Sequence, residues 1–72
     1  MIRYVAVEEQ LYTSELGWYR TYGIRAENEC GETVTQISDV SPESGFAEAL
    51  AKACTEGELS PEQLQDVILN SI

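Results

Sequence analysis

The side chains able to do chemistry in this sequence are carboxylates, tyrosines, two cysteines and a few arginines; histidine is absent. Without an imidazole the usual general base near neutral pH is missing. Cys30 and Cys54 make no disulfide framework, and two thiols without a histidine do not complete a tetrahedral zinc site. Cys30 stands among Glu27, Glu29 and Glu32. Negative charge around a thiol suppresses the thiolate, which is the form a nucleophile needs. No glycine-rich phosphate loop, nucleophile elbow, CxxC pair or EF-hand loop is present. Two carboxylates could share acid–base work if one were buried. With 13 acids in 72 residues, however, chance proximity is expected and most acids are solvated. The sequence therefore offers no catalytic residue, no cofactor-binding residue and no metal ligand. It reads as a non-enzyme without a cofactor, since a pocket of about 300 Å3 or more is hard to fit beside so small a core.

The net charge is −9, from 13 acids and 4 bases. Such a chain repels both the phosphate backbone of nucleic acids and anionic lipid headgroups, so neither is an expected partner. Seventy-two residues, 43% of them hydrophobic, make one small globular domain spanning 1–72. A domain of this size buries only about 60% of the surface its unfolded chain exposes, and self-association is one way to add stability. No basic segment followed by an apolar run opens the sequence, and no stretch reaches membrane-spanning length. A cytoplasmic protein with reduced thiols is the expectation.

These residues must be positioned by three strands and two helices. Apolar and β-branched residues predict strands over 2–11, 18–27 and 33–40, with turns at 13–17 and 28–31 where Gly17 and Gly31 supply backbone freedom. A four-residue loop over 13–16 sets Leu11 opposite Trp18, Val7 opposite Tyr22 and Val5 opposite Ile24, with Glu9 facing Arg20 as an ion pair. The other face then pairs Tyr4 with Arg25, within reach of a cation–π contact. A one-residue slip would set Val7 against Gly23 and mix the apolar faces, so the first register is favoured. Gly23 inside the central strand marks a twist, a bulge or a close approach. Val34 and Ile37 differ in parity, which predicts a bulge in a polar edge strand.

Ser41-Pro42-Glu43 predicts a capped helix start, with the helix running to about Thr55 and Gly57 as its stop. Ser60-Pro61-Glu62-Gln63 predicts a second start with a full capping box, followed by a stripe of Leu64, Val67, Ile68 and Ile72. The fold class is α+β: a three-stranded antiparallel β-meander followed by two C-terminal helices packed on one face, in the order β-β-β-α-α. The expected core is Val5, Val7, Leu11, Trp18, Tyr22, Ile24, Val34, Ile37, Phe46, Leu50, Cys54, Leu64, Val67 and Ile68.

The sheet face left uncovered would carry Tyr4, Ala6, Tyr19, Thr21 and Arg25. Tyrosine and arginine are the residues interfaces rely on, so this is the candidate interaction surface. The corresponding function is a non-enzymatic acidic protein-interaction or regulatory module, bound to an unknown protein partner or to itself as a homodimer. One alternative is an acidic nucleic-acid mimic that blocks a basic protein. It needs a continuous negative ridge, which the scattered acids do not trace in sequence. Another is a small carboxylate-based cation-binding protein or enzyme, which needs a carboxylate cluster in a concave site.

Three stretches carry a resemblance: Leu16-Gly17-Trp18-Tyr19-Arg20-Thr21-Tyr22-Gly23-Ile24, Ile37-Ser38-Asp39-Val40-Ser41, and Leu59-Ser60-Pro61-Glu62-Gln63-Leu64 through Val67. Across nearly its whole length the chain resembles a family of short uncharacterised proteins from clostridia and other gut Firmicutes, a domain of unknown function. The resemblance implies a bacterial, Gram-positive and cytoplasmic origin. It brings no activity, cofactor or site residue with it.

Overall fold

The computed structural model describes residues 1–71. Three antiparallel strands, β1 (Arg3–Thr13), β2 (Gly17–Glu27) and β3 (Thr33–Ser41), form one sheet in the order β1-β2-β3. Helix α1 (Ser44–Glu56) follows. A 3-10 turn at Pro61–Gln63 then leads into α2 (Leu64–Ser71). This is the α+β order β-β-β-α-α that the sequence predicts. Ile72, assigned by sequence to the second helical stripe, lies outside the described residues.

The register of the first hairpin is the one the apolar pattern disfavours. Thr13 pairs with Gly17, Tyr12 with Trp18, Leu11 with Tyr19 and Val7 with Gly23, leaving a three-residue loop at 14–16. Gly17 takes φ 72°, and the Leu16 N–H donates to Thr13 Oγ1 at 3.0 Å, which closes the loop one residue shorter than expected. The second turn is built as its sequence suggests. Gly31 has φ 83° and its N–H donates to the Asn28 carbonyl at 3.0 Å, while Asn28 Oδ1 accepts the N–H groups of Cys30 and Glu32.

The shift by one residue exchanges the two faces of β1 relative to β2, whose Ile24 stays on the covered side as expected. Helices cover the face that carries Tyr4, Ile24 and Ala26, and Val40, Ala51, Cys54, Leu64 and Ile68 complete the buried cluster. Ile37, Leu50 and Val67 pack against it half-buried, as do Ile2 and Leu59. Val5, Val7 and Leu11 lie on the opposite face and are only half-buried, and Trp18, Val34 and Phe46 are exposed. The reason is length. Eleven strand residues extend about 36 Å, whereas the 13 residues of α1 cover about 20 Å. Only the strand ends near Tyr4 and Ala26 lie under helix, so the covered side of β1 needs apolar residues only there. Beyond Ala6 it turns polar with Glu8 and Gln10. Small residues on α1, Ala47 and Ala51, let the helix approach closely enough for Tyr4 to be buried between the layers, its hydroxyl donating to the Leu59 carbonyl at 2.6 Å.

Both helix starts differ from the capping motifs in the sequence. Ser41 ends β3 and its Oγ accepts the Glu43 N–H at 3.1 Å; Glu43, with no side-chain cap bond, precedes the first helical residue. Ser60 also makes no side-chain cap bond. Its carbonyl accepts the Gln63 N–H at 2.9 Å, closing the 3-10 turn in place of a capping box. At the end of α1 the left-handed residue is Glu58, φ 51°, and not Gly57. Glu58 N–H bonds to Thr55 O and Leu59 N–H to Cys54 O, both at 3.1 Å, the paired bonds of a Schellman turn displaced one residue past the glycine.

Candidate functional site

Gly23 is the centre of a polar lattice on the helix-free face. β3 is bulged there: Ile37 pairs with Ile24 and Ser41 with Tyr22, so residues 38–40 stand opposite Gly23 alone. A Cβ on Gly23 would lie 2.6 Å from the Ile37 carbonyl oxygen and 2.9 Å from Glu9 Oε1. Glycine is there because backbone and carboxylate come too close for any side chain. Glu9 accepts the Asp39 N–H at 3.0 Å, the Ser38 hydroxyl at 2.9 Å and the Gln36 amide at 3.4 Å. Asp39 itself has φ 55°. Its carboxylate accepts the Tyr19 hydroxyl at 3.1 Å and the Thr21 hydroxyl at 2.8 Å; the Thr21 hydroxyl also lies 3.0 Å from the Ser41 carbonyl oxygen. Burial, and the Asp39 carboxylate beside it, push the Tyr19 phenol up. Two carboxylates and three hydroxyls make a constellation that could resemble a hydrolytic site. Each hydroxyl here, however, donates within the lattice, and the lattice fixes a bulge.

The residues expected to share an interaction surface are therefore divided. Tyr19, Thr21 and Arg25 do share the helix-free face, but Thr21 is fully buried beneath the lattice. Tyr4, at 3% exposure, is on the covered face, and so is Ala6. Tyr4 stands opposite Ala26 and not Arg25, which leaves no cation–π contact between Tyr4 and Arg25. Glu9 faces Thr21, and Arg20 pairs with Glu8 at 3.6 Å instead. Arg25 joins Arg3 in holding the Glu27 carboxylate, at 3.1 Å and 2.9 Å. The Arg3 hydrogen bond, aided by the Arg25 charge, holds the Glu27 carboxyl below the usual carboxylate range. Neither Glu9 nor Asp39 stands out in the sequence as part of a site; glycine inside a strand is the one signal that points to their meeting place.

The other distinctive region is the far end of the β1–β2 hairpin, which runs past the helices in a molecule 39 Å long and 20 Å thick. Tyr12 and Trp18 pair across the strands with ring centroids 5.5 Å apart, a tilted aromatic contact. They are 62% and 72% exposed, and Leu16 in the loop is 72% exposed. Trp18, assigned by sequence to the core, is the most prominent surface aromatic of the domain. It lies on the same face of β2 as Ile24, but α1 does not reach this end of the hairpin, so nothing covers it.

Cys30 is exposed on its turn and Cys54 is buried, where burial pushes its thiol up. Among the described residues no group of three or more His, Cys, Asp or Glu side chains is arranged to hold a metal ion, and no helix is long and apolar enough to cross a membrane. No curated protein and no solved structure matches the chain. A family model does, over residues 1–72, and by that match the chain belongs to DUF6514, a family of unknown function.

Proposed function

We propose that this chain is a non-enzymatic, acidic protein-interaction module acting in the cytoplasm of a Gram-positive, clostridial bacterium. The observation that carries the interaction reading is the exposed Tyr12–Trp18–Leu16 surface at the hairpin end. Large aromatic side chains are left in water only at a cost, and tryptophan and tyrosine are the residues that dominate binding energy at protein contacts. The two rings brace each other, so little side-chain freedom is left to lose when a partner covers them. The bacterial source rests on the resemblance through Leu16-Gly17-Trp18 and the other matching stretches. The cytoplasmic setting rests on the free thiols and on the lack of an apolar spanning helix among the described residues.

The test compares the wild-type chain with the Tyr12→Ala, Trp18→Ala double variant as immobilised baits in an extract of the source cell. The variant should unfold at nearly the same temperature as the wild type, because both side chains are mostly exposed. It should lose the proteins that the wild type retains. Equal retention by both baits, with both folded, contradicts the reading.

A further inference from the structure

We propose that the groove between the outer edge of β1 and helix α1 receives an extended segment of a protein partner bearing lysine or arginine, which pairs with β1 as a fourth strand; this rests on the interaction reading above. Tyr4 gives the direction of the edge. Its N–H donates to Thr55 Oγ1 at 2.9 Å, and the same hydroxyl lies 3.2 Å from the Tyr4 carbonyl oxygen. Both backbone groups of Tyr4 thus point away from β2. Pairing with β2 is continuous and unbulged from Arg3 to Thr13. In an antiparallel ladder alternate residues share one direction, so the backbone groups of Ala6, Glu8, Gln10 and Tyr12 also point outward. Thr55 occupies the first of these outward positions, and among the described residues no hydrogen bond from the body of the domain reaches Ala6, Glu8 or Gln10.

The two sheet edges are treated differently. β3 carries two register breaks and a left-handed residue, devices that block strand addition. β1 has no proline and no bulge against β2, and among the described residues no hydrogen bond from another element meets its outer edge beyond Thr55. Beside it lies a groove of about 470 Å3, bounded by Val5 and Ala6 on one side and by Glu48, Ala51, Lys52 and Glu56 on the other. Ala6 and Ala51 leave room for another backbone. The charge around the groove selects the occupant. Of the two cations that line the groove, Arg3 is held by Glu27 at 2.9 Å and Lys52 lies 3.9 Å from Glu56, while Glu48 has no ion-pair partner among the described residues. An incoming cationic side chain finds a free carboxylate there. A second copy is the poorer occupant, because self-pairing around residues 8–10 brings Glu8 and Glu9 against their counterparts on chains already at −9. Main-chain bonds supply most of the affinity in this kind of recognition, so a simple strand of the right charge suffices as a probe.

The experiment titrates the 15N-labelled full chain with a short peptide of alternating valine and lysine, and in parallel with the same peptide N-methylated at every second residue. Amide exchange and chemical shifts are followed residue by residue. Expected are slowed exchange at Ala6, Glu8 and Gln10 with the first peptide, binding weaker by about tenfold or more with the second, and a comparable loss in the Glu8→Gln, Glu48→Gln variant. Equal binding of the two peptides would reduce the effect to diffuse attraction by net charge and overturn the proposal. Shifts confined to the Val5, Val7, Tyr19 face would overturn it as well. So would β1 amides already slow in a free protein whose mass rises with concentration, since a second copy would then hold the edge. Each of these outcomes is independent of the Tyr12–Trp18 bait comparison, in which no groove residue is altered.

Discussion

At Glu27 the charge balance of a single side chain has a consequence for pH. The carboxylate takes the Arg3 guanidinium at 2.9 Å and Arg25 at 3.1 Å, and its pKa is lowered in the folded protein. A group with a depressed folded pKa stabilises the fold above its unfolded pKa, and the contribution disappears as pH falls through the folded value. Glu27→Gln should therefore be less stable than wild type at neutral pH. The gap should close as the pH drops below the ordinary carboxylate range, as read by chemical denaturation across a pH series. The same scale separates Ile24 from Trp18. Ile24 is fully buried, and Ile24→Ala should cost about 3 kcal/mol, a large share of what so small a domain has. Trp18, with most of its surface in water, carries no such penalty. Both residues lie on the same face of β2, and what separates them is how far along the hairpin the helices reach, which no residue of β2 announces. Gly23 shows how far a single letter reaches. Glycine in a strand signals close approach, but Glu9 and Asp39, which make it, are brought there by a bulge in a different strand.

At the scale of elements, the order and type of every strand and helix are legible because each has its own periodicity and punctuation. Register and facing are not. The apolar positions of β1 are divided between two faces, Tyr4 on one and Val5, Val7 and Leu11 on the other, and the choice between them is made by helices that cover only part of the strand. The capping motifs mislead for a related reason. Ser41 is still paired in the sheet when the motif expects it to begin a helix. At the end of α1 the turn overshoots its glycine by one residue, placing Glu58 in the left-handed region. A side chain there costs about 1 kcal/mol relative to glycine. Glu58→Gly should accordingly raise the thermal midpoint by several degrees, the size of shift expected from about 1 kcal/mol in a domain of this length.

On the scale of the whole molecule, a long two-stranded ribbon emerges from a small helix-covered core. Two strands alone are marginal in water. The part of the hairpin beyond the helices carries the exposed Tyr12–Trp18 pair, and the β1 edge beside it makes no further ladder bonds among the described residues, which is what supports the proposal of a partner on this side. The charge of −9 argues for a cationic complement and against an identical chain. The sequence does not show this edge, because the set Val5, Val7 and Leu11, interrupted only by Glu9, reads there as the buried face of β1.

The most direct test is amide hydrogen exchange along β1 in the free protein. The account expects alternation: Val5, Val7 and Glu9 slow through their bonds to β2, Ala6, Glu8 and Gln10 fast at the open edge, and Tyr4 slowed by Thr55. Uniformly slow exchange, or the opposite parity, would mean that the edge is already covered or the register differs, and would contradict it.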